Sequence, residues 1–569
     1  MKKFVYRSRR RLLRIALPLV MLLLTMSVFK MTGAANPALK VALKEAGDYV
    51  VLAWNDLGMH CYNPDFQDLA VLPPFNTLFA QVVQVGDPPQ LVTSGVEVSY
   101  AFADNTYSVG KTNFWDYEEA LFGVDLPPDV GLTGKGLAGS MDLVNASYVA
   151  EGIPLTEYSD SNPTVRQPYQ LATVTVHDSN TGEELATVHP VAPVSTEMHC
   201  DNCHYDGGVG GISTGRVETN ILTLHDEEHG DDYPPGHEGP LMGRRPILCA
   251  ECHASNALGL PGVPGLPSLS KAIHEKHHDA VPDTLNGCYN CHPGPETQCL
   301  RDVMSTQYGM DCMDCHGGME DVADNPNPWL NEPRCDDCHT QPGYEQNNAL
   351  YRLSTGHGGL YCEACHDSTH AIAASSQPLD GVKFMELQGH VGTLDTCTVC
   401  HATQPTGPGP HGIMAPQVAN LANYGISKGV LEGGNLQSLR LSDDDRLQVH
   451  TVAMGGGVAQ GLLMNVVAIS PVTTGKMDVR LEWSSDIAGT NAILYLFNFN
   501  QNTWVSQGQW PLGLNDYTVV AAMNNAAPYI RNSDGLVAVR LLSLGRTQTF
   551  PQGYSLRLDQ VEISITPNN

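Results

Sequence analysis

The sequence predicts a multidomain protein: a β-rich N-terminal module, a loop-rich central domain with short helices, and a C-terminal antiparallel β-sandwich or jelly-roll module. Three observations predict it. The chain has 569 residues, too many for a single core. Both flanks alternate apolar with polar residues at period two. Fifteen of the 16 cysteines lie between positions 200 and 400, fourteen of them in one repeated spacing, in a stretch dense in glycine and proline, of which the chain has 55 and 38. Such a stretch needs something other than a large apolar core to hold it.

Residues 1–35 read as a secretory signal peptide. Lys2, Lys3, Arg7, Arg9, Arg10, Arg11 and Arg14 precede an apolar run from Ile15 to Phe29, and the small residues Gly33, Ala34 and Ala35 follow as a cleavage site. The expectation is an exported protein, periplasmic or at the cell surface. The run is short for a bilayer span, and no later stretch is long and apolar enough for one. With its signal the chain carries 31 basic and 61 acidic residues, a net charge of −30. Such acidity repels a phosphate backbone, so nucleic acid is not an expected partner.

Residues 36–195 form the N-terminal module. Tyr49–Trp54, Val96–Phe102 and Leu171–Val176 alternate as strands do, and the last is followed by a turn at Asp178–Gly182 and a further strand from Glu184 to His189.

The centre repeats one arrangement seven times: Cys200-Asp-Asn-Cys203-His204, Cys249-Ala-Glu-Cys252-His253, Cys288-Tyr-Asn-Cys291-His292, Cys312-Met-Asp-Cys315-His316, Cys335-Asp-Asp-Cys338-His339, Cys362-Glu-Ala-Cys365-His366 and Cys397-Thr-Val-Cys400-His401. Each reads as a c-type haem attachment site. Two thiols three residues apart suit the two vinyl groups of one porphyrin, and the adjacent histidine ligates its iron. Zinc ribbons or exported disulfides would not require histidine after the second cysteine every time. Seven covalently bound haems are therefore the expected cofactors, and 196–415 a heptahaem domain. The motifs follow one another so closely that the peptide between them cannot enclose a haem in a protein core. Neighbouring haems must pack together, most densely between His292 and His366.

The chain has 22 histidines. Beyond the seven in motifs and the four in the strand-rich flanks (His60, His177, His189 and His450), eleven lie near the motifs. His199, His225, His274, His277, His357, His370, His390 and His411 are the candidates for second axial ligands; His229, His237 and His278 are the others. Two imidazoles on one iron leave no vacancy for substrate and suit a centre that moves one electron. Two cysteines stand outside the motifs, Cys61 and Cys299. Three readings stay open: a disulfide between them that pins the N-terminal module to the haem domain, Cys61 or His60 as an iron ligand, or buried structural residues.

The runs Asn220-Ile-Leu-Thr-Leu-His225-Asp, Cys288-Tyr-Asn-Cys-His-Pro-Gly-Pro, Gly356-His-Gly-Gly-Leu-Tyr-Cys362-Glu-Ala-Cys-His and Gly409-Pro-His411-Gly, together with the seven motifs, resemble the multihaem c-type cytochromes of metal-respiring anaerobic bacteria. The resemblance spans roughly residues 196–415. It implies electron transfer in the periplasm or at the cell surface, with redox proteins or extracellular electron acceptors as partners and distal ligands drawn from histidines that flank the motifs. Nitrite reductases of that family carry lysine in place of the motif histidine at the catalytic haem; this sequence has no such replacement.

Residues 403–430, with Pro405, Pro408, Pro410 and Pro416, read as the exit from the haem domain, the linker proper being 416–430. The C-terminal module, 431–569, alternates in Val479–Trp483, Ala492–Phe499, Leu536–Leu541 and Tyr554–Ile563, with a turn at Asn532–Gly535. It is similar to accessory modules of secreted bacterial proteins, which implies contact with a polymer, a partner or a surface. Asp443, Asp444 and Asp445 read as a solvated acidic turn rather than a calcium site.

The expected function is electron carriage along seven haems, without bond-making at any iron. The alternative is a reductase in which one five-coordinate haem acts on a small oxyanion or sulfur compound. A third reading is a conductor that self-assembles through its β modules. The mature chain is expected to exceed its polypeptide mass by seven haems in denaturing mass spectrometry; any other number overturns the motif reading.

Overall fold

The structure is a computed structural model that describes residues 48–567, apart from 326–329, 331, 406, 413, 415 and 441–444. The expected signal peptide and two of the three acidic-turn residues, Asp443 and Asp444, lie outside the described residues. Among the described residues no helix is long and apolar enough to cross a membrane.

Period-two alternation builds the N-terminal module. In Tyr169–Asp178 the residues Gln170, Ala172, Val174 and Val176 are buried and their neighbours are not. This strand pairs antiparallel with Val96–Phe102 on one side and with Glu184–Val188 and Val191–Ser195 on the other, in a six-stranded sheet. A five-stranded sheet is built on Tyr49–Asn55, Asn76–Gln84 and Ser147–Ile153. The two sheets share one core, in which Val51, Ala53, Leu78, Ala80 and Val82 meet Val98, Tyr100, Ala172, Val174 and Val176.

Tyr49–Asn55 departs from simple alternation: its last five residues are all buried. Its second face is covered by the central region, where Leu52, Trp54 and Val83 pack with Ala364. Trp54 donates its indole N–H to Glu363 Oε2 at 2.8 Å. The Lys383 ammonium reaches both Ala53 O at 3.1 Å and Asp367 Oδ1 at 2.8 Å.

Between Asp201 and Gly412 the chain forms short helices and loops, with a single short strand, Ile247–Leu248, among the described residues. The longest helix, Val217–His229, has 13 residues. The N-terminal module organises this region by strand addition. Ile247–Leu248 runs parallel to Leu69–Ala70 and leads into the second motif. Val194 and Ser195, parallel to His60 and Cys61, lead toward the first. Gly86 bridges to His401 of the seventh. Ion pairs add to this. Asp68 accepts from Arg245 Nη1 at 2.7 Å, and Asp65 from Arg216 Nη2 at 2.9 Å.

The C-terminal module consists of a six-stranded and a seven-stranded sheet, all their pairs antiparallel. They enclose one apolar layer that includes Leu447, Val479, Leu481, Trp483, Leu494, Val539 and Ile563. Ala459–Ile469 and Leu536–Arg546 pair without a register shift along their full length. The expected turn closes on Gly535, whose φ of +72° and approach to Ser470 O leave no room for a Cβ.

The linker expectation is corrected. Gln417–Val418 pairs with Ser555–Thr566, and Asn420–Lys428 pairs with Ala459–Ile469. The module therefore begins near Gln417 rather than at 431. Asn420–Lys428 is an edge strand with one fully buried side chain, Leu421, so it carries little of the alternation that betrays a strand.

A buried ion pair ties the central loops together. Arg301 donates to Asp380 Oδ2 through Nε at 2.7 Å, both side chains being almost inaccessible, and its guanidinium lies 5.0 Å from the Tyr169 ring centre. Asp380→Ala strands this charge and is expected to destabilise the protein by about 3–5 kcal/mol, measured as a loss in denaturant midpoint at constant slope. A change below ~1 kcal/mol would mean that the pair does not hold the loops.

Candidate cofactor-binding region

All seven Cys-x-x-Cys-His motifs take one local form, a single helical turn. The motif histidine N–H bonds to the carbonyl of the first cysteine in His204 (2.9 Å), His253 (3.0 Å), His292 (3.0 Å), His339 (2.8 Å) and His401 (2.9 Å). The other two motifs form the helices Cys312–His316 and Cys362–His366. A turn of this kind brings residues three apart to one face, so both thiols of a motif present to the same side. Burial raises several thiols: Cys249, Cys291, Cys362 and Cys400 to about 11 and Cys365 to about 12. They are uncharged at neutral pH.

The motifs surround one continuous cavity of 2990 Å³, several times the ~300–1,000 Å³ of an ordinary small-molecule site. Every motif contributes both cysteines and its histidine to the lining.

Across this cavity the histidines meet in pairs. Ring centres are 6.3 Å apart for His204 and His277, 6.5 Å for His253 and His225, and 6.1 Å for His292 and His274. They are 6.2 Å apart for His316 and His370, 5.9 Å for His366 and His411, and 6.0 Å for His401 and His357. A metal–imidazole bond of about 2.0–2.1 Å on either side of one ion puts ring centres roughly 6 Å apart. The six pairs fit that spacing. Among the described residues no three His, Cys, Asp or Glu side chains gather as a ligand cluster of their own.

Local structure sets the rings. Ser268 caps the helix Leu269–His277, accepting from Lys271 N. His274 and His277 fall one turn apart on it, and each directs Nδ1 to a carbonyl one turn back, Ser270 O and Ile273 O, at 2.7 Å. One helix thus serves two motifs. His253 Nδ1 faces Pro267 O at 3.0 Å, His411 Nδ1 faces Gly343 O at 2.7 Å, and His225 Nδ1 meets the Tyr233 hydroxyl at 3.0 Å. Engagement of Nδ1 fixes the tautomer and leaves Nε2 as the atom free to hold a metal. Burial, reinforced by neighbouring imidazoles, lowers His292 and His366 to about 4 and His370 to about 3. These rings are neutral at physiological pH, the form that binds a metal.

Neighbouring motifs lie close together. Asn202 Nδ2 donates to Asn290 Oδ1 at 2.7 Å, joining motifs one and three. The thiols of Cys288 and Cys312 interact, joining three and four. Burial raises Cys315, Cys362 and Cys365, and Cys338, Cys335 and Cys400 of the neighbouring motifs lie near enough to raise them further. Motif two joins through Val217–His229, which supplies His225 and whose Asn220 donates to His204 O at 2.9 Å. The spatial order is therefore two, one, three, four, five, six, seven.

Two expected distal ligands are corrected. His199 Nε2 sits 3.2 Å from both Glu197 Oε1 and Gly294 O. His390 Nε2 lies 3.2 Å from Asp395 Oδ1, with Nδ1 against Val391 O. Carboxylates satisfy both rings, and neither pairs with a motif histidine. His60 is likewise held by Asp56, at 2.9 Å. Cys61 and Cys299 are half-buried thiols in this structure; burial and the nearby Cys299 both raise Cys61, and Cys299 Sγ lies 3.8 Å from His370 Nδ1. Sequence reasoning missed Tyr344, whose ring centre lies 5.8 Å from that of His339.

No family model and no curated protein matches the chain. Similar solved structures include the carbohydrate-binding module TmCBM61 in complex with β-1,4-galactotriose, 10% identical, covering 25% of this chain and 89% of that one with a TM-score of 0.18. The C-terminal CBM6 of LamC from Zobellia galactanivorans is 16% identical, covering 25% and 90%, with a TM-score of 0.16. Chitosan-binding module 1 from the Paenibacillus sp. IK-5 chitosanase/glucanase is 16% identical, covering 25% and 92%, also at 0.16. Likeness at this level carries no functional argument.

Replacing His274 by Met is expected to raise the reduction potential of one centre, because a Met/His pair lies above a His/His pair. His199→Met is expected to leave every potential unchanged. Protein-film voltammetry reads both, and equal effects would dissolve the assigned pairing.

Proposed function

We propose that this protein is an exported multihaem c-type cytochrome that carries electrons along seven covalently attached haems. The observation that carries the reading is the coincidence of seven Cys-x-x-Cys-His turns with six histidine pairs at 5.9–6.5 Å around one cavity. Each haem, once attached, exchanges one electron between ferric and ferrous iron.

The protein's own residues do the rest. Cys200 and Cys203, Cys249 and Cys252, Cys288 and Cys291, Cys312 and Cys315, Cys335 and Cys338, Cys362 and Cys365, and Cys397 and Cys400 anchor the groups. His204, His253, His292, His316, His339, His366 and His401 ligate from one side. His277, His225, His274, His370, His411 and His357 would ligate from the other side in six cases, which would close those irons to substrate. Successive motifs lie close together along the row. The partner is a redox protein or an extracellular acceptor. The acidity of the chain, −30 overall, favours one that docks through a basic surface and whose association weakens as salt rises. The C-terminal sheets are the surface left for contact with a polymer or for self-assembly.

The purified protein is expected to take up and release electrons reversibly with a chemical reductant and oxidant, and to reduce nitrite, hydroxylamine or sulfur oxyanions no faster than free haem. Enzyme-like turnover of any of these would replace the carrier by a reductase.

A further inference from the structure

The seven motifs are not equivalent. The chain holds 22 histidines, and every one lies within the described residues. Seven belong to motifs and six pair with them, leaving nine. Of these, His60, His189, His199, His390 and His450 are engaged by Asp56, Glu386, Glu197, Asp395 and Glu432. His237 lies by Glu251, His278 by Asp279 and His229 by Glu228. His177 sits in a strand opposite Glu97. The fifth motif histidine, His339, therefore has no imidazole partner of its own. His411, whose ring stacks on Tyr344 beside it, is taken by His366.

What faces His339 is Tyr344, in stacked orientation at 5.8 Å. Its ring is in turn stacked on His411 at 4.7 Å. The placement is built in. Gly343, at φ +95°, abuts the His411 backbone so closely that an added Cβ would collide with it, and its carbonyl accepts from His411 Nδ1 at 2.7 Å. The ligand of the sixth site thus pins the tyrosine of the fifth. Asp337, Cys338, Thr340, Gln341 and Pro342 around the motif are exposed, so this site lies at the surface.

The geometry points to the haem of Cys335, Cys338 and His339 as the one centre whose second axial position is open to a small exogenous haem ligand, with Tyr344 as a replaceable cover. The inference rests on the proposed cytochrome reading and deepens it. It concerns coordination alone, with no bond made or broken in the ligand.

The test uses the full-length exported protein carrying seven haems by mass. Its ferric spectrum is expected to show one high-spin iron in seven. The dithionite-reduced protein should bind one carbon monoxide per chain, seen as a shift of about one-seventh of the Soret absorbance. Tyr344→Phe should retain that stoichiometry, whereas Tyr344→His should abolish it and render all seven irons low-spin. Seven low-spin irons and no carbon monoxide binding in the unaltered protein would overturn the inference while leaving the carrier reading intact. A preparation without seven haems would instead overturn the reading beneath it. The unaltered protein's spectrum decides the matter even if Tyr344→His fails to fold.

Discussion

The centre of this protein depends on imidazoles held in pairs 5.9–6.5 Å apart across a 2990 Å³ cavity. Peptide alone does not fill that space: between Cys200 and His411 the helices are short, and many apolar side chains line the void instead of meeting one another. An interior must be packed at close to crystal density to be stable. The proposed haems meet that requirement, and in six of the seven the iron suits one imidazole pair. Fold and cofactor are then one problem, because ligand pairs from distant parts of the chain cross-link loops that have little other reason to stay together.

The N-terminal module supplies the rigid wall. Its strand Tyr49–Asn55 is buried on both faces, one by its own sandwich and the other by the sixth motif, through Trp54 and Glu363. The Glu363 carboxyl is desolvated and lies near Asp56 and Asp367, which raises it well above the usual carboxylate range; Lys383, bonded to Asp367, offsets part of that field. Short parallel pairings at Val194–Ser195 and Ile247–Leu248 then deliver the first two motifs at fixed positions. A β scaffold that positions loops is a common way to make irregular chain precise.

The C-terminal module adds stability independent of the cavity, since its two sheets enclose a continuous apolar layer. Its tie to the centre is polar: Arg480 Nη2 stands 3.6 Å from Asp395 Oδ2, and the same carboxylate engages His390. A buried histidine beside the seventh motif is thereby held by a carboxylate rather than paired with a motif histidine. Asp395 is held below the ordinary carboxylate range by His390 and Arg480 despite its desolvation, and it joins two modules through one side chain.

The sequence by itself determined what depends on local chemistry. Covalent haem attachment, as proposed, demands fixed spacing within five residues, so the seven motifs were legible without a structure. Half-buried strands demand alternation, so Val96–Phe102, Leu171–Val176 and the C-terminal runs were visible too. The edge strand Asn420–Lys428 was not, because an exposed edge imposes no alternation. The tertiary structure decided the pairing. His277 returns to His204 and His411 to His366, and His199, adjacent to a motif, bonds a glutamate instead. Nothing in the chain near His339 announces that tyrosine rather than histidine stands opposite it. Paired histidines are separated in sequence and joined by packing, and a histidine engaged by a carboxylate has the same local sequence signature as one that faces another imidazole; only the fold distinguishes them.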